Sequence, residues 1–354
     1  ICGQMLALTR ALPLRCNNAL SRILFVRHQI KDSPVKKAVF AFVAILFVGG
    51  LILVLVDGAR LTQIAPQWLI IQLARQVAEP GPFDVPVDIN VERDVVFAET
   101  DDGPLALDIY TPKIRPAERL PVIVFVFGGG WFAGNKYQIQ RVEGHLWTRH
   151  GYAVIATSYR LSQVATFPAQ IHDVKATIRW IRANANKYNF DENSIGAWGV
   201  SAGGHLVALL ATTNGDPELE GDTGGPALRG YSSDIQAVLD FFGVADLPSL
   251  TGPGVWMTEM LLGGRVSERN ALARLASPET HASVQTAPLL ILHGDKDETV
   301  PIGQSAKFHD RLQAVKANST LHIIAGAGHG GEEFRTPAVR KMLIDFFDEH
   351  LKSD

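Results

Sequence analysis

The chain has 354 residues, of which 47% are hydrophobic and 19% charged, enough to bury the core of one large or two medium domains. Residues 1–37 hold seven basic side chains and one acidic one, so residues 38–354 carry a net −9 although the whole chain sums to −3. An acidic body argues against nucleic acid as a partner. Both cysteines, Cys2 and Cys16, fall in the basic segment, which leaves the body without a disulfide framework or a cysteine-based metal site.

Residues 38–56 contain no charged or polar side chain. As a helix this run would be about 28 Å long, close to the thickness of a bilayer core, and it lacks the polar stripe of a buried core helix. We therefore expect a transmembrane helix, with the basic segment 1–37 in the cytoplasm and the large body on the extracytoplasmic side. Signal-peptide cleavage needs small residues after the apolar run, and the acidic Asp57 stands at such a position. An uncleaved anchor is therefore favoured over a protein secreted after cleavage.

Residues 57–90 are interpreted as an amphipathic helix followed by a linker. Pro66 suits a first helical turn, and the residues around Trp68 form an apolar face. Such a helix would lie on the membrane surface or pack on the body, and both alternatives remain open. The prolines and glycine of residues 79–82 indicate the boundary with a domain at 91–354.

Apolar runs alternate with helical periodicity from residue 91 onward. The predicted strands are 91–98, 105–110, 122–127, 153–158, 195–200, 235–242, 289–293 and 320–325. The predicted helices are 171–188, 202–212, 304–316 and 337–350. This alternation predicts an α/β fold with a mostly parallel sheet flanked by helices. Residues 246–287 interrupt the pattern, and we expect them to form a small cap.

A Gly-x-Ser-x-Gly sequence at 199–203 joins a predicted strand to a predicted helix. In a nucleophile elbow the glycines avoid collisions in a tight turn, and the serine hydroxyl, here that of Ser201, stands clear of the backbone. The helix N-terminus behind the serine offers free N–H groups to a developing oxyanion. Taken alone, the pentapeptide is also compatible with a chance turn of small residues.

Three glycines follow the buried strand 122–127 and allow the backbone to turn with its N–H groups exposed. We expect the N–H groups of Gly129, Gly130 and Ala202 to form an oxyanion hole. A phosphate-binding loop is the alternative, but no Gly-Lys-Ser/Thr sequence accompanies these glycines.

An acid and a base are expected after late strands, because active sites of open parallel sheets lie at the carboxyl ends of their strands. Asp295 and Asp297 follow the seventh predicted strand, and Asp297 is favoured because it is far enough past the strand to curl back toward Ser201. His329 lies among glycines directly after the last strand. The order Ser201, Asp297, His329 is the one expected of an α/β-hydrolase. Three further histidines fall inside predicted elements and are interpreted as structural: His205, His293 and His322.

Residues 91–351 resemble α/β-hydrolases of the esterase/lipase group, related to hormone-sensitive lipase and to bacterial feruloyl-esterase-like carboxylesterases. The matching stretches are residues 108–112, 128–131, 158–161, 167–173, 199–204, 293–301 and 328–330. The resemblance implies an α/β-hydrolase fold and a serine esterase that uses no metal or organic cofactor. It also implies a small-molecule ester as substrate, with a short-to-medium acyl or an aryl group.

Two residues depart from the family pattern. Phe127 stands where the family usually has a histidine that is thought to brace the oxyanion loop, and Val200 replaces the Asp of the hormone-sensitive-lipase branch. The second departure favours the feruloyl-esterase-like branch. Trp131 and Trp256 are candidates for lining a substrate pocket, with packing as the alternative.

Two other classes of function remain. An amidase, formamidase or peptidase would use the same three side chains, and formamidase-like relatives share a glycine-rich turn followed by Trp. A catalytically inactive binding protein is disfavoured, because the chain retains the serine, the acid and the histidine.

Overall fold

An eight-stranded sheet organises the described residues of the computed structural model, which are 81–114 and 116–352. The strands are β1 (Ile89–Thr100), β2 (Gly103–Pro112), β3 (Leu120–Val126), β4 (Ala153–Thr157), β5 (Phe190–Val200), β6 (Ala237–Phe241), β7 (Leu289–Gly294) and β8 (Ser319–Ile324). Their order across the sheet is β1-β2-β4-β3-β5-β6-β7-β8. The pairs β1–β2 and β2–β4 are antiparallel, and all pairs from β4 to β8 are parallel. The prediction of a mostly parallel sheet flanked by helices is confirmed, and the topology fits the α/β-hydrolase fold.

Helices connect the strands of the parallel part. They are α1 (Ala169–Ala183), α2 (Ala185–Tyr188), α3 (Ala202–Thr212), α4 (Val255–Leu262), α5 (Asn270–Leu275), α6 (Pro278–His281), α7 (Gly303–Ala314) and α8 (Pro337–Leu351). The predicted helix 171–188 divides at Asn184 into α1 and α2. The predicted cap segment 246–287 contains α4, α5 and α6, preceded by the short 3₁₀ helices Leu247–Ser249 and Gly252–Gly254.

The central strands form the core because they are apolar on both faces. Every residue of β4, β6 and β7 is buried, as expected for strands covered by helices on each side. Buried Asp173 of α1 ties this helix to the loop after β4, where its carboxylate accepts hydrogen bonds from the backbone N–H and the guanidinium of Arg160. Asp173 therefore anchors the fold.

The segment between β3 and β4 contains two 3₁₀ helices that the sequence did not predict, Lys136–Gln140 and Gly144–His150. A 3₁₀ helix has three residues per turn and does not produce the 3.6-residue periodicity used to predict helices. Trp147 of the second 3₁₀ helix packs its ring 5.3 Å from that of Phe347 in α8, measured between ring centroids. This contact brings together two elements that are far apart in the sequence.

The basic segment 1–37 and the predicted transmembrane helix 38–56 lie outside the described residues, together with most of the segment 57–90. Among residues 81–114 and 116–352, none of the helices combines the length and apolar character needed to cross a bilayer. The membrane anchor and the extracytoplasmic location of the body stay predictions.

Candidate active site

Ser201 lies in a tight turn between β5 and α3. Its backbone has φ 55° and ψ −119°, a left-handed conformation that is unusual for a residue other than glycine and typical of a site under steric constraint. A Cβ atom on Gly199 would lie 2.1 Å from the Gly203 carbonyl oxygen, and one on Gly203 would lie 2.1 Å from that of Val126. Only glycine fits either position. The Ser201 N–H donates to the Phe241 carbonyl at 2.8 Å, which fixes the turn to the end of β6.

His329 contacts Ser201 directly. It lies in the loop after β8, and its Nε2 is 2.9 Å from the Ser201 Oγ. Its ring packs on Phe242, with 4.5 Å between centroids, so an aromatic face limits the movement of the imidazole. With the proton on Nδ1, Nε2 accepts the serine O–H, which is the arrangement needed for removing that proton.

Asp297 holds the other nitrogen of His329. Its Oδ2 is 2.6 Å from the His329 Nδ1, while its Oδ1 accepts the N–H groups of Thr299 at 2.8 Å and Val300 at 2.9 Å. Burial alone would raise the pKa of Asp297, but hydrogen bonds from His293, His329 and the backbone outweigh it and hold the pKa well below its usual range. The carboxylate is therefore ionised at neutral pH and fixes the tautomer of His329.

Asp295, the competing acid, does not reach His329. Its exposed side chain accepts the N–H of Gly326 at 2.7 Å and so closes the turn between the loops after β7 and β8. The structure thus brings together Ser201, His329 and Asp297, and leaves Asp295 in a turn.

A second histidine contacts the same carboxylate. His293 is fully buried in β7, and its Nε2 lies 3.2 Å from the Asp297 Oδ2 and 2.9 Å from the Val300 carbonyl oxygen. Its Nδ1 accepts the hydroxyl of Ser305 at 2.7 Å, which leaves the proton on Nε2 for donation. From its place inside a predicted strand, His293 was expected to be structural. Its contact with Asp297 depends on the path of the loop after β7, which the sequence pattern does not reveal.

The glycine turn after β3 borders the same cavity as Ser201. Gly129 and Gly130 have φ 122° and 61°, and a Cβ on Gly130 would lie 2.0 Å from the Met257 sulfur. Among the described residues, no acceptor takes a hydrogen bond from the N–H groups of Gly129, Gly130 or Ala202. These three donors, predicted from the sequence, remain available to a ligand.

Phe127 braces this turn without a histidine. Its ring stacks on Tyr159 with 4.2 Å between centroids and 13° between planes. The buried Tyr159 hydroxyl donates to the Phe127 carbonyl at 3.1 Å. An aromatic pair and one hydrogen bond therefore fix the start of the turn at this departure from the family pattern.

Trp131 fixes the other end of the glycine turn. It adopts a left-handed φ of 57°, is 2% exposed, and donates from its Nε1 to the His205 Nδ1 at 3.0 Å. His205 in turn donates from Nε2 to the Ala276 carbonyl at 2.7 Å. Burial lowers the pKa of His205 to about 4, so the ring is neutral at pH 7 and Nδ1 is free to accept. This pairing joins residues 74 positions apart and could not be predicted from the sequence pattern.

Trp131→Phe is expected to lower the free energy of unfolding by about 1–3 kcal/mol, because the His205 Nδ1 would be left buried without a donor. The matched control is Trp256→Phe, since Trp256 is 42% exposed and contacts Phe132 only through its ring. We expect the control to change stability by no more than about 0.5 kcal/mol. Urea unfolding followed by far-UV circular dichroism measures both, and equal losses in the two variants would contradict the role of the hydrogen bond.

A cavity of about 770 Å³ opens beside Ser201 and His329. Neither Trp131 nor Trp256, the two tryptophans proposed from the sequence, is among the residues that line it. Two other tryptophans line it instead, Trp147 and Trp198. Of the predicted cap segment 246–287, Met257 is the residue that reaches the cavity wall. The 3₁₀ helix Gly144–His150 and α8 also contribute to the wall.

Several known esterases are similar to this chain. The family model described as BD-FAE matches residues 107–312. Esterase LipQ of Mycobacterium tuberculosis (strain ATCC 25618 / H37Rv) is 32% identical over 251 residues, covering 69% of this chain and 58% of its own. Esterase LipC of the same strain is 32% identical over 237 residues, covering 65% and 58%. The chain thus spans less than two thirds of the length of these curated relatives.

Solved structures give a similar result. A truncated carbohydrate esterase from gut microbiota has a TM-score of 0.67 and 32% identity, covering 75% of this chain and 97% of its own. A thermophilic esterase, Est2, from Thermogutta terrifontis has a TM-score of 0.61 and 28% identity, covering 74% and 92%. With a family model matched over more than half of its length and esterases as structural neighbours, the chain belongs to the BD-FAE family.

Proposed function

We propose that the protein is a serine hydrolase of carboxylic esters. The observation that carries this proposal is the continuous hydrogen-bonded series from Ser201 through His329 to the ionised Asp297, at a cavity that unused N–H donors also border. The named esterases among its relatives support ester hydrolysis as the reaction class.

In the first half of the reaction, the Ser201 Oγ attacks the ester carbonyl carbon while its proton passes to the His329 Nε2. The Asp297 carboxylate stabilises the imidazolium that forms. The negative charge on the former carbonyl oxygen is held by backbone N–H groups, for which Gly129, Gly130 and Ala202 are the candidates. Each such donor contributes about 2.7–4 kcal/mol of transition-state stabilisation in a serine hydrolase.

The tetrahedral intermediate collapses when the His329 Nε2 returns the proton to the leaving alkoxide, which departs as the alcohol. The acyl group is then bound to the Ser201 Oγ. A water molecule gives a proton to His329 and attacks the acyl carbon, and the carboxylic acid leaves as Ser201 regains its hydrogen. The cycle restores every group and consumes one ester and one water.

An ester preference separates this proposal from an amidase, formamidase or peptidase that uses the same side chains. We expect p-nitrophenyl butyrate to be hydrolysed with a higher kcat/KM than butyryl p-nitroanilide. The two compounds carry the same acyl group and similar nitroaromatic leaving groups, so they differ mainly in the bond that is cleaved. Release of p-nitrophenol or p-nitroaniline is followed by absorbance. Faster turnover of the anilide would refute the ester assignment, and turnover of neither compound would favour an inactive binding protein.

A further inference from the structure

The cavity beside Ser201 is larger than a short acyl group requires. Its volume of about 770 Å³ lies in the range of sites that bury most of a drug-sized ligand. Beyond the glycine turn, one part of its wall is formed by apolar and aromatic side chains, and we call this part the apolar channel. The apolar channel is lined by Leu146, Trp147, Trp198, Phe334, Leu343 and Ile344.

Aromatic rings in contact connect the apolar channel to the candidate catalytic histidine. Ring centroids are 6.0 Å apart for Trp147 and Trp198, 5.4 Å for Trp198 and Phe241, and 6.1 Å for Phe241 and Phe242. Phe242 in turn contacts His329. Trp198 of β5 lies three residues before Ser201, so the backbone positions of the two residues are about 10 Å apart along the strand direction. The apolar wall therefore runs from the site of chemistry into the molecule.

Leu146 and Trp147 of the apolar channel belong to the 3₁₀ helix Gly144–His150, and Leu343 and Ile344 belong to α8. Polar contacts join the residues just before this 3₁₀ helix to Arg335 and Arg340. Arg335 donates to the Arg141 carbonyl at 3.0 Å, and Arg340 pairs with Glu143 at 2.5 Å. These contacts connect the segments that border the apolar channel.

Charge is confined to the solvent edge of the cavity. The side chains of Arg340 and Arg149 are 50% and 48% exposed. By contrast, Trp198, Leu343 and Phe334 are 3%, 5% and 5% exposed. A group that fills the apolar channel must therefore be uncharged and apolar, because a buried charge would meet no partner there.

We propose that the apolar channel binds a long aliphatic chain of the ester substrate, one of about eight carbons or more, as the distance from Ser201 to Trp198 requires. This inference rests on the proposed ester hydrolysis and extends it to groups longer than the short-to-medium acyl chains expected from the resemblance. The chain can belong to the acyl or the alcohol part of the ester, since both have the same chemistry.

Two substrate series test the proposal on the wild-type protein. One is p-nitrophenyl esters from acetate to dodecanoate, and the other is acetates of alkan-1-ols of the same lengths, followed in a pH-stat. In one series, kcat/KM should rise by up to about fourfold for each methylene that enters the apolar channel, and the series that rises identifies the part that binds. A flat or falling dependence on length in both series would overturn the proposal.

Two variants, Leu146→Trp and Ile344→Trp, place a larger side chain in the apolar channel. They test whether the dependence of kcat/KM on chain length arises there. Each should lower kcat/KM for the long ester by about 10-fold or more and leave the acetate within about twofold, which also shows that the variant is folded. The matched control is Ile323→Trp, on the half-exposed surface of β8. If the two variants changed the long-ester rate no more than this control, the chain would bind elsewhere and the proposal would fail.

A binding measurement tests the apolar channel independently of the proposed ester hydrolysis. A bromine atom at the end of 12-bromododecanoic acid should quench tryptophan fluorescence more than the bromine of 2-bromododecanoic acid, because the chain end lies beside Trp147 and Trp198. The difference should disappear in Leu146→Trp and Ile344→Trp. Absence of turnover with every ester would refute the proposed function alone, whereas equal quenching by both acids in the wild type would refute the apolar channel.

Discussion

Ser201→Ala is expected to lower kcat for ester hydrolysis by about 10⁴- to 10⁶-fold. The change removes the oxygen that forms the acyl-enzyme, while the glycine turn and the cavity are unaltered. Hydrolysis of p-nitrophenyl butyrate under saturating conditions measures the loss. The residual rate should come from the remaining oxyanion donors and from substrate binding.

The same variant should remain folded. Alanine has the Cβ atom of serine and adds no bulk to the turn, so the midpoint of thermal unfolding should stay within a few degrees of the wild type. An organophosphate ester gives a second readout, since its phosphorus should form a bond to the Ser201 Oγ as its leaving group departs. Intact-protein mass spectrometry should detect one added phosphoryl group in the wild type and none in Ser201→Ala. Undiminished hydrolysis or unchanged labelling would refute the assignment of Ser201 as nucleophile.

Asp297→Asn is expected to lower kcat by about 10⁴-fold with a much smaller change in KM. Asparagine keeps the shape of the side chain, and its carbonyl oxygen can still accept the N–H groups of Thr299 and Val300. Its NH₂ group then faces the His329 Nδ1 and favours the tautomer with the proton on Nε2. That tautomer cannot accept the proton of Ser201.

The matched control for this substitution is Asp295→Asn, two residues away in the same loop. Asp295 is exposed and accepts the N–H of Gly326, so its replacement should leave kcat within about twofold. Steady-state kinetics on the two variants decide between the acids. A large loss of kcat in the control, or a small loss in Asp297→Asn, would exchange the roles inferred for the two aspartates.

The positions of the strands along the chain and the candidates for the triad could be predicted from the sequence because their signals are local. Each buried strand is a short apolar run, and Gly199 and Gly203 mark a turn whose neighbours leave no room for a Cβ atom. Once the sheet is parallel, the carboxyl ends of its strands share one edge, so Asp297 and His329 could be assigned from their positions after β7 and β8.

Pairings between distant residues could not be predicted in this way. The hydrogen bond from Trp131 to His205 joins residues 74 positions apart. In the sequence Trp131 was a candidate for lining a pocket, and in the structure it supports the glycine turn. His293 likewise looked like an ordinary strand residue, and only the folded loop after β7 brings it to Asp297.

The cavity beyond the triad was decided entirely by tertiary structure. Part of its wall comes from a 3₁₀ helix that produced no periodic signal, and part from α8, near the end of the chain. An apolar residue has the same sequence signature whether it faces another core residue or an empty space, so Leu146 and Leu343 were indistinguishable from packing residues. By itself the sequence determined which residues are candidates for the proposed chemistry, because these candidates follow from short motifs and strand ends. The space available to a substrate is the gap left between packed elements, and only the folded chain defines that gap.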